Sequence, residues 1–243
     1  MTAPQLSAGQ RYLGTVQELI DRVRTVEWDH LHDAARAIAD ALAVEHKLHV
    51  FGTGHSHMLA EELYYRAGGL VHVHPILFDG LMLHSSAELS TMLERLPGLA
   101  SALLTEHPIA EGDVLIVASN SGGNATTTEM AIQARASGAT VIAVTSMRHA
   151  TSAAARVTGK PRLHELADVV IDNGGEVGDA AVQIAGFDKR VAPTSTVVGA
   201  AILNAVVAEA IELLVKEGRA PEVYTSINTA AGETESAERQ GRL

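Results

Sequence analysis

The stretch DVLIVASNSGGNATTTE, residues 113–129, decides the fold prediction. It opens with a continuous apolar run, which is typical of a strand buried on both faces of a parallel sheet. The run ends at Ser119, and hydroxyl, amide and glycine residues follow before an apolar periodicity resumes. The pattern therefore indicates a strand, a polar glycine-rich loop and the first turns of a helix.

The same alternation of strand and helix repeats along the chain. Further apolar runs lie within residues 47–56, 70–76, 139–146 and 167–174. Helical patterns separate several of them, within residues 57–69, 97–106 and 125–138. Apolar strands that alternate with helices favour a parallel sheet covered on both faces. We therefore predict an α/β fold, a doubly wound parallel sheet of about five strands.

Long helices are predicted on either side of this unit. Residues 6–26 and 30–46 place apolar side chains at three-to-four spacing, which indicates an N-terminal helical hairpin. Residues 194–216 are apolar nearly all round, so this helix is expected to be buried, and a homodimer or dimer of dimers would help to bury it. The expected division is a hairpin at 1–46, a core domain at 47–229 and a mobile polar tail at 230–243.

Composition excludes several classes of function. The 243 residues contain 18 Lys and Arg against 29 Asp and Glu, with 3% aromatics and no basic cluster, so we expect no nucleic-acid partner. The absence of cysteine rules out disulfides, thiolate metal sites and a cysteine nucleophile. The N-terminal residues lack the pattern of a signal peptide, and no apolar run reaches about 18 residues. We expect a soluble, cytoplasmic protein with no membrane partner.

Two polar loops follow predicted strands, FGTGHSH at residues 51–57 and ASNSGGNATT at 118–127. Their glycines let the backbone approach a ligand, and the helix that follows each loop offers N–H groups and a positive dipole end to an anion. Neither loop matches the Walker A or the dinucleotide-binding pattern. The same residue types also serve as ordinary helix caps and turns. Because two such loops occur at strand ends, we favour a phosphate or phosphosugar site.

The quoted residues resemble a known family. The pattern SNSGGN (residues 119–124), helix and VIAVTS (141–146) is similar to the sugar isomerase (SIS) domain, and GTGHS (52–56) is similar to the first loop of its phosphoheptose-isomerase-like branch, within which a bacterial subgroup has a His-rich first half. The resemblance spans about residues 48–216. It implies that a sugar phosphate is bound by Ser56, Ser119, Ser121 and Asn124, with Gly122 allowing close backbone approach. The same loops and strand ends add Gly54, Asn120 and Thr145 as substrate-binding candidates.

Aldose–ketose isomerisation, the activity favoured by the resemblance, needs a base beside the carbonyl and a proton shuttle. Glu61 and Glu62 lie on the helix after the first loop, and we prefer Glu62 as the base because it shares a face with apolar residues. His55, inside the loop, is the candidate proton-transfer group. Phosphoheptose isomerases carry a His on the last long helix, where this chain has none. On this helix Glu209 is the candidate catalytic residue. Alternatively, Glu209 is a carboxylate with its hydrogen bonds satisfied at a subunit interface.

The histidines of the first half raise a rival hypothesis. His55 with His57 and His72 with His74 are His-x-His pairs, which could ligate zinc together with Asp79 or Glu62. The second pair could equally be a polar strand edge at a subunit contact, and we predict neither a metal nor a cofactor. Three functions therefore stay open: a phosphosugar isomerase, a non-catalytic phosphosugar sensor and a metal-dependent lyase or aldolase. We favour the first.

Overall fold

The structure is a computed structural model that describes residues 6–153 and 161–240. Its helices are α1 (Ala8–Val26), α2 (Trp28–Ala43), α3 (His57–Leu63), α4 (Ala87–Leu93), α5 (Leu99–Glu106), α6 (Ala125–Ala136), α7 (Met147–Ala150), α8 (Leu163–Leu166), α9 (Ser195–Lys216) and α10 (Ala230–Gln240). Its strands are β1 (Leu48–Gly52), β2 (Val73–Pro75), β3 (Val114–Ala118), β4 (Thr140–Thr145), β5 (Val169–Asp172), β6 (Ala180–Gln183) and β7 (Arg190–Pro193).

Five of the strands form one parallel sheet in the order β2-β1-β3-β4-β5. Every residue of β1 and β3 is buried. The register sets Leu48 opposite Val114, and Val114 opposite Thr140, so the central strands are aligned. This confirms the predicted α/β fold with a five-stranded, doubly wound parallel sheet and N-terminal helices.

Each face of the sheet packs into its own apolar core. Val114 and Ile116 of β3 point into a core shared with α2, α3 and α9. Leu115 and Val117 of the same strand point into a second core shared with α5, α6 and α8. Because side chains alternate between the two faces of a strand, burial on both sides requires the continuous apolar runs seen in the sequence. Each fully buried side chain of this size contributes about 1.5–3 kcal/mol.

Helix α9 is central to the first core. Its residues Val198, Ile202 and Val206 are buried among those of α2, α3 and the sheet. By length and composition α9 could cross a membrane, but half of its most apolar 18-residue window is buried inside the protein. A helix buried in this way is part of the protein core. Since α2 contributes to the same core, the N-terminal hairpin packs on the sheet domain, while the division at residues 46 and 229 stays a prediction.

Several local structures differ from the sequence predictions. Helix α3 ends at Leu63, before the glycine pair at 68 and 69, because Tyr64 is extended and Tyr65 has a φ of 48°. Helix α4 was not predicted, since the segment before it has no period, and Ser86 caps it by accepting a hydrogen bond from Leu89 N–H at 3.1 Å. The antiparallel hairpin of β6 and β7 was also missed.

The polar C-terminal segment, predicted to be a mobile tail over residues 230–243, contains the helix α10. The structure describes this segment up to residue 240. Its mobility stays a prediction.

Gly52, the last residue of β1, offers a test of this packing. A Cβ atom there would lie 2.3 Å from the Ser56 carbonyl oxygen, because the next turn folds back onto the strand end. We expect Gly52→Ala to lower the free energy of unfolding by about 1–3 kcal/mol, measured by urea denaturation. Gly14→Ala is the matched control: nothing lies within 4 Å of the added Cβ inside α1, so this change should stabilise by about 0.5–1 kcal/mol. Similar losses in both variants would contradict the close approach.

Candidate functional site

Polar residues converge where the parallel strands end. The aligned register brings Gly52, Ala118, Thr145 and Asp172 to the same edge of the sheet. A small pocket lies there, and residues from four separate segments contribute its polar lining: Ser56, Ser119, Asn120, Asn173, Ser195 and Thr196. Hydroxyl and amide groups therefore dominate the pocket, and they can donate hydrogen bonds without adding charge.

The loop after β3 is held in a fixed conformation. Ser119 Oγ accepts a hydrogen bond from Gly122 N–H at 3.1 Å, and the Asn120 carbonyl accepts from Ser146 N–H at 3.3 Å. Gly122 has a φ of 61°, and a Cβ atom on it would lie 3.1 Å from Leu163 Cβ. A glycine is therefore needed at this position both for conformation and for space.

A positive charge lies beside the same loop. The Arg162 guanidinium donates a hydrogen bond to the Ser121 carbonyl at 3.0 Å. Sequence analysis did not select Arg162. Its position depends on how the start of α8 packs on the loop after β3, where Leu163 N–H donates to the Gly122 carbonyl at 2.9 Å.

The N-terminus of α9 forms another wall of the pocket. Ser195 and Thr196 line it, although the sequence pattern identified residues 194–196 only as a helix cap. The Asp179 carboxylate accepts three hydrogen bonds here: from Thr194 N–H at 3.1 Å, Ser195 N–H at 2.9 Å and Ser195 Oγ at 2.6 Å. A carboxylate thus caps the positive end of the longest helix in the described part of the chain.

Asn173 supplies a third strand-end group that sequence reasoning missed. Its Nδ2 donates to Asn120 Oδ1 at 3.0 Å, and its Oδ1 accepts from Gly175 N–H at 2.9 Å. The signal was present, because Asn-Gly-Gly follows an apolar run just as Ser-Asn-Ser-Gly-Gly does after β3. The Asn120–Asn173 contact joins the loops after β3 and β5.

The structure brings together only some of the predicted site residues. Ser56, Ser119 and Asn120 line the pocket. The remaining loop candidates lie around it at the same strand ends: Gly54 in the turn before α3, Ser121 and Gly122 in the loop after β3, Asn124 at the cap of α6, and Thr145, whose hydroxyl donates to the Asn120 carbonyl at 3.3 Å. His55 is exposed in the first turn, and neither His55 nor Glu62 lines the pocket.

The two carboxylates suspected of catalysis are engaged with other side chains. Glu62 accepts hydrogen bonds from Arg66 and from Asn204 Nδ2, the latter at 2.8 Å, so it faces α9. Glu209 pairs with His32 at 3.0 Å between α2 and α9. The helical period placed Glu62 on a face shared with apolar residues, and in the structure its carboxylate contacts α9.

Glu94 is a carboxylate that sequence analysis did not find. Its Oε2 accepts a hydrogen bond from Thr53 Oγ at 3.0 Å, and its carbonyl accepts from Thr126 N–H at 3.1 Å. Thr53 directly follows β1, and Thr126 lies in the first turn of α6. Glu94 therefore stands between the two predicted loops. It follows the unrecognised helix α4, so no sequence signal placed it there.

His57 is buried and ties α3 to the next loop. Its Nε2 accepts a hydrogen bond from Phe78 N–H at 3.3 Å, so in the neutral ring Nδ1 carries the proton and donates to Glu61 Oε1 at 3.2 Å. Burial lowers the pKa of His57. Both ring nitrogens are thus occupied by protein partners.

The considered zinc site is not assembled. Among residues 6–153 and 161–240, no three His, Asp or Glu side chains are grouped so that they could hold a metal ion. His57 lies at the start of α3, whereas His74 lies in β2, whose register pairs it with His49 at the opposite edge of the sheet. The two His-x-His pairs therefore do not meet.

Comparison with known proteins agrees with this geometry. A family model described as the SIS domain matches residues 11–146, more than half of the chain. The chain belongs to the SIS domain family. A UPF0309 protein of Listeria monocytogenes is 42% identical over 217 residues, which cover 89% of this chain and 88% of the relative. The predicted family is thereby confirmed.

Solved SIS structures share the fold. The phosphoheptose isomerase of Neisseria gonorrhoeae superposes with a TM-score of 0.52 at 16% identity and covers 85% of this chain and 96% of its own. That of Francisella tularensis gives 0.53 at 14% identity and covers 82% and 94%. At these identities the likeness concerns the SIS fold alone.

The lowered pKa of His57 predicts how stability depends on pH. His57 binds a proton less readily in the folded protein than in the unfolded chain, where its pKa has the ordinary value of 6.5. Stability should therefore fall as pH decreases below that value towards the lowered folded pKa. We expect the urea midpoint to decrease between about pH 7 and pH 5, and His57→Asn to reduce this decrease. His55→Asn, at an exposed position two residues away, is the control. An unchanged decrease in His57→Asn would contradict the assignment.

Proposed function

We propose that this SIS protein binds a sugar phosphate at the carboxyl edge of its sheet and interconverts its aldose and ketose forms. One observation carries the proposal: hydroxyl and amide groups of the loops after β1, β3 and β5 converge with the N-terminus of α9 on one pocket. Neutral donors and helix N-termini are suited to a phosphate group. The Arg162 guanidinium beside Ser121 adds a positive charge near the loop.

The comparisons support the phosphosugar class. Two solved neighbours of the same fold, from Neisseria gonorrhoeae and Francisella tularensis, are named phosphoheptose isomerases. Those names describe the neighbours, and a shared fold does not transfer an activity. The proposal for this chain therefore rests on the loops, with the family as support.

Isomerisation requires a base that removes a proton from the carbon next to the carbonyl and returns it to the neighbouring carbon through an enediol intermediate. We assign this role to Glu94, because its carboxylate is held by the Thr53 hydroxyl between the two phosphate-binding loops. Glu62 and His55, selected from the sequence, are the competing assignments. Glu62 would first have to leave Arg66 and Asn204.

A non-catalytic phosphosugar sensor is the second candidate function. The observation that favours it is the composition of the pocket: among the described residues that line it, none carries a carboxylate or an imidazole. Such a pocket can bind a phosphate without acting on the sugar. The metal-dependent lyase has no comparable support, since the described residues offer no set of ligands.

A homodimer and a cytoplasmic location belong to the same proposal. Several large apolar side chains around α3 and α4 are exposed, and a second copy of the chain would cover them: Met58, Tyr64, Tyr65, Leu89 and Met92. Large exposed apolar groups are typical of an interaction surface, and here the rings of Tyr64 and Tyr65 lie 6.3 Å apart, centroid to centroid.

Phosphate binding can be measured by thermal shift. We expect one class of hexose, hexosamine, pentose or heptose phosphate to raise the melting temperature, because a ligand at about 100 times its Kd adds about 2.7 kcal/mol of stability. Ser121→Ala and Thr196→Val should each weaken the shift. Thr105→Val, at an exposed threonine of α5, is the matched control, and unphosphorylated sugars control for the phosphate. If no phosphorylated sugar stabilises the protein, the proposed binding site is wrong.

Turnover of the sugar found in this way separates the two candidate functions. Glu94→Gln should lower kcat by about 10²–10⁴-fold, the usual contribution of a general base, with little change in the thermal shift. Glu62→Gln is the matched variant and should have a smaller effect. A larger loss in Glu62→Gln would move the role of base to that residue. Binding without any turnover in the wild type would favour the sensor.

A further inference from the structure

A second cavity lies at the opposite edge of the sheet. It has a volume of about 480 Å³ and is bordered by the C-terminal ends of α2 and α9, the start of β1, β2 and the segment after α9. Its polar lining consists of Glu45, His46, Lys47, His72, His74, Arg219 and Glu222. Since these residues lie at the amino ends of β1 and β2, the cavity is separate from the site at the strands' carboxyl ends.

A buried His–Asp pair lies directly behind this cavity. The Asp113 carboxylate accepts hydrogen bonds from Lys47 N–H and Ala110 N–H, each at 2.9 Å, and contacts His49 Nε2 at 3.2 Å. Burial alone would raise the pKa of Asp113, but these donors outweigh it and lower the pKa. Asp113 is therefore ionised at neutral pH, and His49 Nε2 donates to it.

His49 in turn packs against His74. Burial lowers the pKa of His49, so its ring is neutral, and its buried Nδ1 has no hydrogen-bond partner within the described ranges. The ring lies 5.7 Å from that of His74, centroid to centroid. His74 is thus positioned on one side by a buried ring and faces the cavity on the other.

Groups that can carry a positive charge surround His74. Burial lowers the pKa of His74 most, and the neighbouring His49, Lys47 and His72 lower it further, against the opposite influence of Asp113. In the part of the chain that the structure describes, neither the Lys47 ammonium nor the His72 ring has an ion-pair or hydrogen-bond partner. A bound anion stabilises the charged forms of neighbouring cationic groups that repel one another.

The remaining polar lining residues indicate which groups the uncharged part of a ligand would carry. Arg219 donates to the Ala43 carbonyl at 2.6 Å and so compensates the negative end of α2. Glu45 and Glu222 place carboxylates on the cavity wall. Carboxylates accept hydrogen bonds from hydroxyl or amino groups, so they suit the body of a ligand whose charged group lies elsewhere.

We propose that the amino-edge cavity is a second binding site, which takes a small metabolite with an anionic group held by Lys47, His72 and His74. The anionic group is a phosphate or a carboxylate, and the body of the ligand carries hydroxyl or amino donors towards Glu45 and Glu222. A volume of about 480 Å³ suits a molecule of sugar-phosphate size. The site does not depend on the function proposed for the carboxyl edge.

Protons are taken up when this ligand binds. An anion beside His74 and His72 stabilises their charged forms, so binding should be tighter at low pH. The groups near His74 are His49 in β1, Lys47 just before β1, Asp113 just before β3 and His72 just before β2. His46, Arg219 and Glu222 line the same cavity. Lys47 and Arg219 among them carry a positive charge.

The full-length protein can be tested by NMR of the histidine Cε1–H signals, assigned with His72→Asn and His74→Asn. Sulfate, whose charge is constant over the range, should shift the His72 and His74 signals and bind several-fold more tightly at about pH 6 than at about pH 7.5. Inorganic phosphate and citrate, titrated at the higher pH, distinguish a phosphate from a carboxylate ligand, with glucose as the neutral control. Lys47→Gln should weaken binding by about fivefold or more, as expected for one charge near the anion.

Two matched variants make the outcome decisive. Lys189→Gln, in the connection between β6 and β7, removes an exposed lysine and should leave the Kd unchanged. Ser121→Ala should leave these histidine shifts intact, whereas it weakens phosphosugar binding at the carboxyl edge. The proposal is overturned if neither sulfate, phosphate nor citrate shifts the His72 and His74 signals, or if Lys47→Gln and Lys189→Gln weaken binding equally. If the isomerase proposal fails, the expected histidine shifts and the expected difference between Lys47→Gln and Lys189→Gln stay the same.

Discussion

Burial of both faces of the parallel sheet is the constraint on which the rest of the structure depends. Alternate residues of β3 enter two different cores, so its interior positions cannot carry polar groups. Polar chemistry is therefore confined to the two edges where the strands begin and end. The helices that cover the sheet then fix which loops meet there, because β1, β3 and β4 each lead into a helix at the carboxyl edge.

The two edges differ in chemical character. At the carboxyl edge the pocket is lined by hydroxyls and amides from Ser119, Asn120 and the start of α9, which offer neutral donors. At the amino edge imidazoles, lysine and carboxylates surround a larger cavity. Helix dipoles explain part of the difference, since N-termini face the first edge and the C-termini of α2 and α9 face the second.

Sequence patterns predicted the features that depend on local order. The apolar runs indicated the sheet, and the polar loops indicated its strand ends. Ser56 and Ser119 line one pocket because parallel strands end at a common edge. The sequence patterns could not reveal Glu94 or Thr196, whose positions depend on how α4 and α9 pack against distant segments. Glu62 shows the same limit: the helical period groups it with apolar residues, but only tertiary packing decides that its carboxylate meets Asn204.

The cap of α9 has a consequence for ligand entry. The Asp179 carboxylate occupies the N–H groups of Thr194 and Ser195 and the Ser195 hydroxyl, on the wall of the carboxyl-edge pocket. Asp179 has a φ of 66°, and it lies between Gly178 and the hairpin of β6 and β7. An anion that reaches the head of α9 must share these donors with a resident negative charge or displace it. Asp179 therefore competes with a bound anion for the hydrogen-bond donors on this wall of the pocket.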